Sequence, residues 1–100
     1  MEQGRFAEAV KKAERKLQET GDLVKLRHEL DYSMDGDPLV RFYVVVPNAS
    51  IKKGKRLEMM NHVSFLVERE LQPQSRWGVY PLYRWRSKTE YEALQEPAFA

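Results

Sequence analysis

The sequence predicts a two-layer α+β domain with the element order α-β-β-α-β-α. Its three-stranded mixed sheet has the order 1-2-3 and carries helices 1 and 2 on one face. Three observations lead to that fold class. Apolar residues recur with a helical period near 3.6 in Arg5 to Thr20 and again up to Leu71, but with a period of two from Leu23 to Tyr32. A turn signal, Asp35-Gly36-Asp37-Pro38, separates that alternating segment from a second extended one. The second segment, Leu39 to Val46, is apolar on both faces, which marks a strand flanked by neighbours and covered on both sides.

The first helix is defined by Phe6, Val10, Ala13 and Leu17, which make one stripe, while Lys11, Lys12, Glu14, Arg15 and Lys16 fill the outward surface. Gly21 supplies the left-handed residue that closes it. In the first strand Val24, Leu26, His28, Leu30 and Tyr32 share one face, and Lys25, Arg27, Glu29 and Asp31 the other. Pro38 suits a strand start, where a missing N–H costs little. In the second strand Val40, Phe42, Val44 and Val46 are set against the helices, leaving Leu39, Tyr43 and Val45 on the far side. This strand is therefore placed in the centre.

A second helix is expected from Gly54 or Lys55 to Leu71. Met60, Val63, Val67 and Leu71 form its core stripe, Leu57, Met59 and Leu66 widen it, and Phe65 lies nearly opposite. Pro73 ends it, because the residue before a proline is pushed out of the helical region. The third strand lies within "RWGVYPLYRWRS", with Tyr83 and Trp85 inward and Arg84 and Arg86 outward. Pro81 argues against a central position for it. Ser87 to Glu90, "SKTE", is a capping box opening a short helix with Tyr91 and Leu94. Residues 96–100 are expected to be a loose tail of a single domain spanning 1–100.

Composition sets the limits on function. With 42% hydrophobic and 32% charged residues the chain is globular. It has no cysteine, which excludes disulfides, thiolate metal sites and cysteine nucleophiles and suits a reducing compartment. The N-terminal residues contain no apolar h-region and no window reaches the length of a membrane span, so a cytoplasmic protein without membrane contact is expected. A net charge of +2 is too small to argue for nucleic acid by itself.

No catalytic pattern emerges, and neither an enzyme nor a cofactor is expected. His28 and His62 are the only histidines, on different elements. Glu58 and His62 lie four apart on one helix face, but a zinc site needs a further ligand and the H-E-x-x-H pattern is absent, so an exposed helical pair is the simpler reading and no metal is expected. The run Lys52-Lys53-Gly54-Lys55-Arg56 opens the second helix, where cations are unfavourable unless an anion joins them. It lacks the Walker A glycine and hydroxyl and the second glycine of a KH clamp, and a solvated basic loop is the preferred reading. Together with Arg41, Arg84 and Arg86 on the outer sheet face around Tyr43, it forms the alternative reading, a nucleic-acid or phosphate-binding module. Cross-strand pairing of those arginines with Glu29 and Asp31 accounts for the same residues without a ligand.

The leading expectation is a non-enzymatic protein-interaction domain acting as a homodimer or with another protein. It rests on a surplus of apolar side chains: Tyr43 and Val45 on the outer face, Phe65 off its helix's stripe, and Trp77, Tyr80 and Leu82 in the third-strand segment. Either a partner covers the outer face or the C-terminal helix does so through Tyr91 and Leu94. The succession of the D-G-D-P turn, the strand "LVRFYVVVP", a helix and an aromatic strand ending in "RSKTEYEAL" resembles small bacterial α/β proteins of unknown function. The likeness runs from Leu30 to Leu94, and it implies a fold but no activity or site residue.

Overall fold

The structure, a computed structural model, describes residues 1–100. Its elements are α1 (Gln3–Glu19), β1 (Lys25–Tyr32), β2 (Pro38–Val46), α2 (Arg56–Leu71), α3 (Pro73–Trp77), β3 (Tyr80–Ser87) and α4 (Lys88–Leu94), with short 3-10 turns at Asn48–Ser50 and Pro97–Phe99. The fold is α+β. Its three-stranded sheet has the order β1-β2-β3, antiparallel between β1 and β2 and parallel between β2 and β3.

Local chemistry sets the boundaries. The Glu2 carboxylate accepts the Gly4 N–H at the start of α1, and Gly21, at φ +77°, turns the chain out at its end. In the hairpin the Gly36 N–H donates to the Ser33 carbonyl and the Ser33 hydroxyl accepts the Asp37 N–H. Gly36 holds φ +85°, which an L side chain rarely adopts. At the end of β3 the Ser87 hydroxyl accepts the Glu90 N–H at 3.0 Å while the Glu90 carboxylate accepts the Ser87 N–H at 2.9 Å, completing the capping box.

The core lies between the sheet and the helical layer. Phe6, Val10, Ala13 and Leu17 of α1 and Met59, Val63, Leu66, Val67 and Leu71 of α2 pack against Leu26, Val40, Phe42, Val44, Val46 and Trp85. A salt bridge of 3.1 Å from Lys16 to Glu70 ties the two helices at their rim.

Three expectations are corrected. The stripe of α2 centres on the fully packed Met59, with Met60 half-buried, and Leu57 is exposed rather than part of the core. The segment before β3 is not extended. Gln72 takes the left-handed conformation, Pro73 starts a new helical turn with its φ already set, and Gly78 closes it, so Arg76 and Trp77 are helical.

The third correction concerns residues 96–100, which are not a loose tail. They turn back so that Phe99 is buried on the sheet's outer face, T-shaped to Tyr43 at 5.2 Å and beneath the Arg86 guanidinium at 5.0 Å. The reason is Val45, which faces away from the helices and is fully buried although it lies outside the main core. Covering a valine and a phenylalanine is worth about 1.5–3 kcal/mol each, and the Arg86–Glu96 and Arg27–Ala100 hydrogen bonds add to this against the roughly 1–2 kcal/mol of backbone entropy lost per ordered residue.

Phe99→Ala is therefore expected to cost about 3 kcal/mol of stability in urea denaturation. Leu94→Ala, at a side chain left exposed, should change it by less than about 0.5 kcal/mol.

Candidate interaction surface

The outer face is a grid fixed by strand register. Its rows across β1, β2 and β3 are Lys25–Val45–Arg86, Arg27–Tyr43–Arg84, Glu29–Arg41–Leu82 and Asp31–Leu39–Tyr80. The alternation of each strand sends these residues to one side and the core residues to the other.

The first row and part of the second are sealed by the chain's own end. The Lys25 ammonium donates to the Tyr91 hydroxyl at 2.7 Å and lies 4.9 Å from the centre of that ring. Arg86 Nη2 donates to Glu96 at 2.9 Å in a two-pronged pair, and Arg27 Nε donates to the Ala100 carbonyl at 3.3 Å. The hydrogen bonds from Arg86 hold the Glu96 carboxyl below its ordinary value. The C-terminal helix does reach this face, through Tyr91 but not through Leu94, which stays exposed.

The remaining rows differ from side to side. Toward β1, Arg41 donates to Asp31 at 2.7 Å and to Glu29 at 3.0 Å, and the Tyr43 hydroxyl donates to Glu29 at 3.3 Å. Such exposed pairs add little stability but leave no free charge. Toward β3, Tyr80 and Leu82 remain 58% and 41% exposed, and Arg84 has no carboxylate partner. An aromatic ring, a leucine and an unpaired guanidinium thus share one strand.

The two sheet edges also differ. The Ser33 N–H donates to the Asp37 carbonyl, so odd-numbered residues of β1 and β2 form the hydrogen-bonded pairs and even-numbered residues of β1 turn their backbone outward. Glu14 of α1 accepts the outward Leu26 N–H at 2.7 Å and also holds Arg27 at 2.7 Å, while the Leu26 carbonyl accepts from Arg27 and the Tyr32 N–H donates to Asp31. His28 stands on this edge, T-shaped to Phe6 at 5.3 Å, and burial lowers its pKa.

On β2 the even-numbered residues face β3. In a parallel ladder each bonds the residues flanking its partner, so Tyr80, Leu82, Arg84 and Arg86 bond inward. Pro81, Tyr83 and Trp85 turn their backbone groups to the free edge, where the missing N–H of Pro81 disrupts no ladder bond.

The sequence-predicted interface residues do not form one surface. Val45 is buried and Tyr43 half-buried under the C-terminal segment. Trp77 is half-buried against the core, T-shaped to Phe6 at 5.2 Å. Phe65 is exposed on α2, in the helical layer, and only Tyr80 stands free on the sheet's outer face. Leu82 joins Tyr80 there; the alternation of β3 indicates its direction, but only the register shows that nothing covers it.

The basic run is exposed at the start of α2, with Lys55 3.7 Å from Glu58 and Arg56 3.6 Å from Glu90, while Lys52 and Lys53 are solvated. Arg41 and Arg86 are engaged by carboxylates, and Glu90 feels the charge of both Arg56 and Arg86. Tyr43, the ring on which a base would stack, is packed by Phe99. His62 points to Asp22 at 3.6 Å rather than to Glu58, and no group of three or more His, Asp or Glu side chains converges to hold a metal ion.

Several open clefts line the surface, two of them beside the β1 edge and the hairpin. One, of about 530 Å³, runs between α1 and the β1 edge past Lys11, Glu14 and Arg27. The other, of about 440 Å³, lies at the hairpin end among Met1, Leu30, Tyr32 and Trp77. No helix is long and apolar enough to cross a membrane. Comparison with protein-family models, curated proteins and solved structures finds no match for this chain.

The Arg86–Glu96 pair gives a pH signature. Because the folded-state pKa of Glu96 is depressed below its ordinary 4.5, its contribution is complete above that value and is lost as pH falls through the folded-state value. Glu96→Gln should lower the urea midpoint at pH 7, and the difference from the unsubstituted protein should vanish once both are measured in acid below the folded-state pKa.

Proposed function

We propose that this protein is a non-enzymatic interaction domain that works as a homodimer. The observation that supports this reading best is the apolar strip on the edge strand β3, where Tyr80 and Leu82 lie exposed beside the unpaired Arg84. The same chain buries Val45 and Phe99 on that face with its last five residues, yet leaves these two uncovered. Aromatic and arginine side chains on an otherwise charged surface are the composition of protein interfaces.

Size-exclusion chromatography with light scattering tests this reading. The expected result is a species of twice the chain's 11.8 kDa at micromolar concentration. A strict monomer at high micromolar concentration overturns it. Tyr80→Ala and Leu82→Ala should each weaken association by about tenfold, from the roughly 1.4 kcal/mol that corresponds to such a factor.

A further inference from the structure

We propose that two copies join through β3, edge to edge and antiparallel, to make one continuous six-stranded sheet. This rests on the homodimer reading above and identifies its seam. The argument begins with the contrast between the two edges. An open strand edge is a template for another strand, and proteins that stay apart guard it with charge or by covering it. The β1 edge is guarded: its outer face carries Lys25, Arg27, Glu29 and Asp31, and Glu14 occupies the Leu26 N–H. The β3 edge is guarded only in part: Arg86 Nη1 covers the Trp85 carbonyl, Pro81 withholds an N–H, and Arg84 and Arg86 are the charges of its outer face. Neither the Tyr83 N–H nor the Trp85 N–H has a hydrogen-bond partner within the chain, and the outer-face side chains along this strand are the exposed Tyr80 and Leu82 followed by Arg84 and Arg86.

The edge is complementary to itself in one register. With Tyr83 opposite Tyr83 of the second copy, the two exchange both N–H···O bonds. Each Trp85 N–H then meets the Pro81 carbonyl of the other copy, so all four free N–H groups are satisfied. Pro81, which has no N–H to give, falls opposite the Trp85 carbonyl, and that oxygen already accepts from Arg86 Nη1 at 2.8 Å. Shifting by one pairing step toward the strand's start leaves the Tyr83 carbonyl facing Pro81 without a donor. Shifting toward its end places the two Arg84 side chains directly opposite, which like charges oppose.

In the favoured register Leu82 packs along the stem of the second copy's Arg84, and Tyr80 lies against the second copy's Arg86. The strip that makes the surface conspicuous is therefore what the pairing covers. Pro81 acts as the element that selects register.

Amide hydrogen exchange followed by NMR on the whole chain, read beside light scattering, tests the seam. Leu82→Lys, placing a charge on the edge, should give a monomer with an unchanged fold. Relative to that variant the unsubstituted dimer should slow exchange at Tyr83 and Trp85 by at least about tenfold, while His28 and Leu30 on the β1 edge are unaffected. A dimer in which the Tyr83 amide exchanges as fast as in a monomer, or in which His28 and Leu30 are protected instead, overturns the β3 seam and leaves the homodimer reading intact. A monomer at high micromolar concentration overturns both. Should Leu82→Lys fail to fold, the same comparison is made by diluting the unsubstituted protein: protection at Tyr83 that persists unchanged in the dissociated chain overturns the seam, and protection lost with dissociation supports it.

Discussion

The rest of this structure follows from one constraint: β2 is apolar on both faces and must be dry on both. A helix pair can cover only one side of a sheet. Val40, Phe42, Val44 and Val46 turn toward α1 and α2, which fixes those helices in a single layer and places β2 between two other strands. Val45, pointing the other way, needs a separate cover. The chain supplies it with its last few residues, which is why Phe99, nearly at the terminus, is as deeply buried as the core.

The charges follow from that arrangement. Sealing Val45 brings Arg86, Arg27 and Lys25 against the C-terminal segment, and each finds an acceptor there: Glu96, the Ala100 carbonyl and the Tyr91 hydroxyl. Arg41 is left to the acidic half of β1. The cations that resemble a nucleic-acid platform in the sequence are thus used mostly within the chain, with Arg84 as the exception. The same settlement leaves β1 charged and capped by Glu14, and leaves β3 with Tyr80 and Leu82 exposed beside Arg84. That asymmetry between the two edges is what makes a strand-mediated dimer the natural reading of the surface.

Much of this was legible in the residues. Period changes marked α1, β1 and α2, because amphipathic elements write their geometry into the spacing of apolar side chains. The doubly apolar β2 announced its central place, and the Ser87–Glu90 box announced α4. Three things were hidden. The turn at Pro73–Trp77 is too short to show a period, and its Gln72 gives no sign that it will take the left-handed conformation. Phe99, isolated between small residues, carries no pattern at all. The guarding of the β1 edge by Glu14 depends on a side chain twelve residues away in sequence, for which spacing gives no cue.

The sequence by itself determined the elements, the centrality of β2 and the apolar face that each element must bury. These are properties of local periodicity, and periodicity is read from neighbours. Which residues answer the surplus was decided only by tertiary structure. Val45 is satisfied by Phe99 and the segment following α4, Trp77 by Phe6, and Tyr43 by both Glu29 and Phe99, whereas Tyr80 and Leu82 are satisfied by nothing in the chain. A side chain's need for burial is written in its chemistry. Whether its own chain meets that need depends on contacts across many residues, which only the folded backbone brings together.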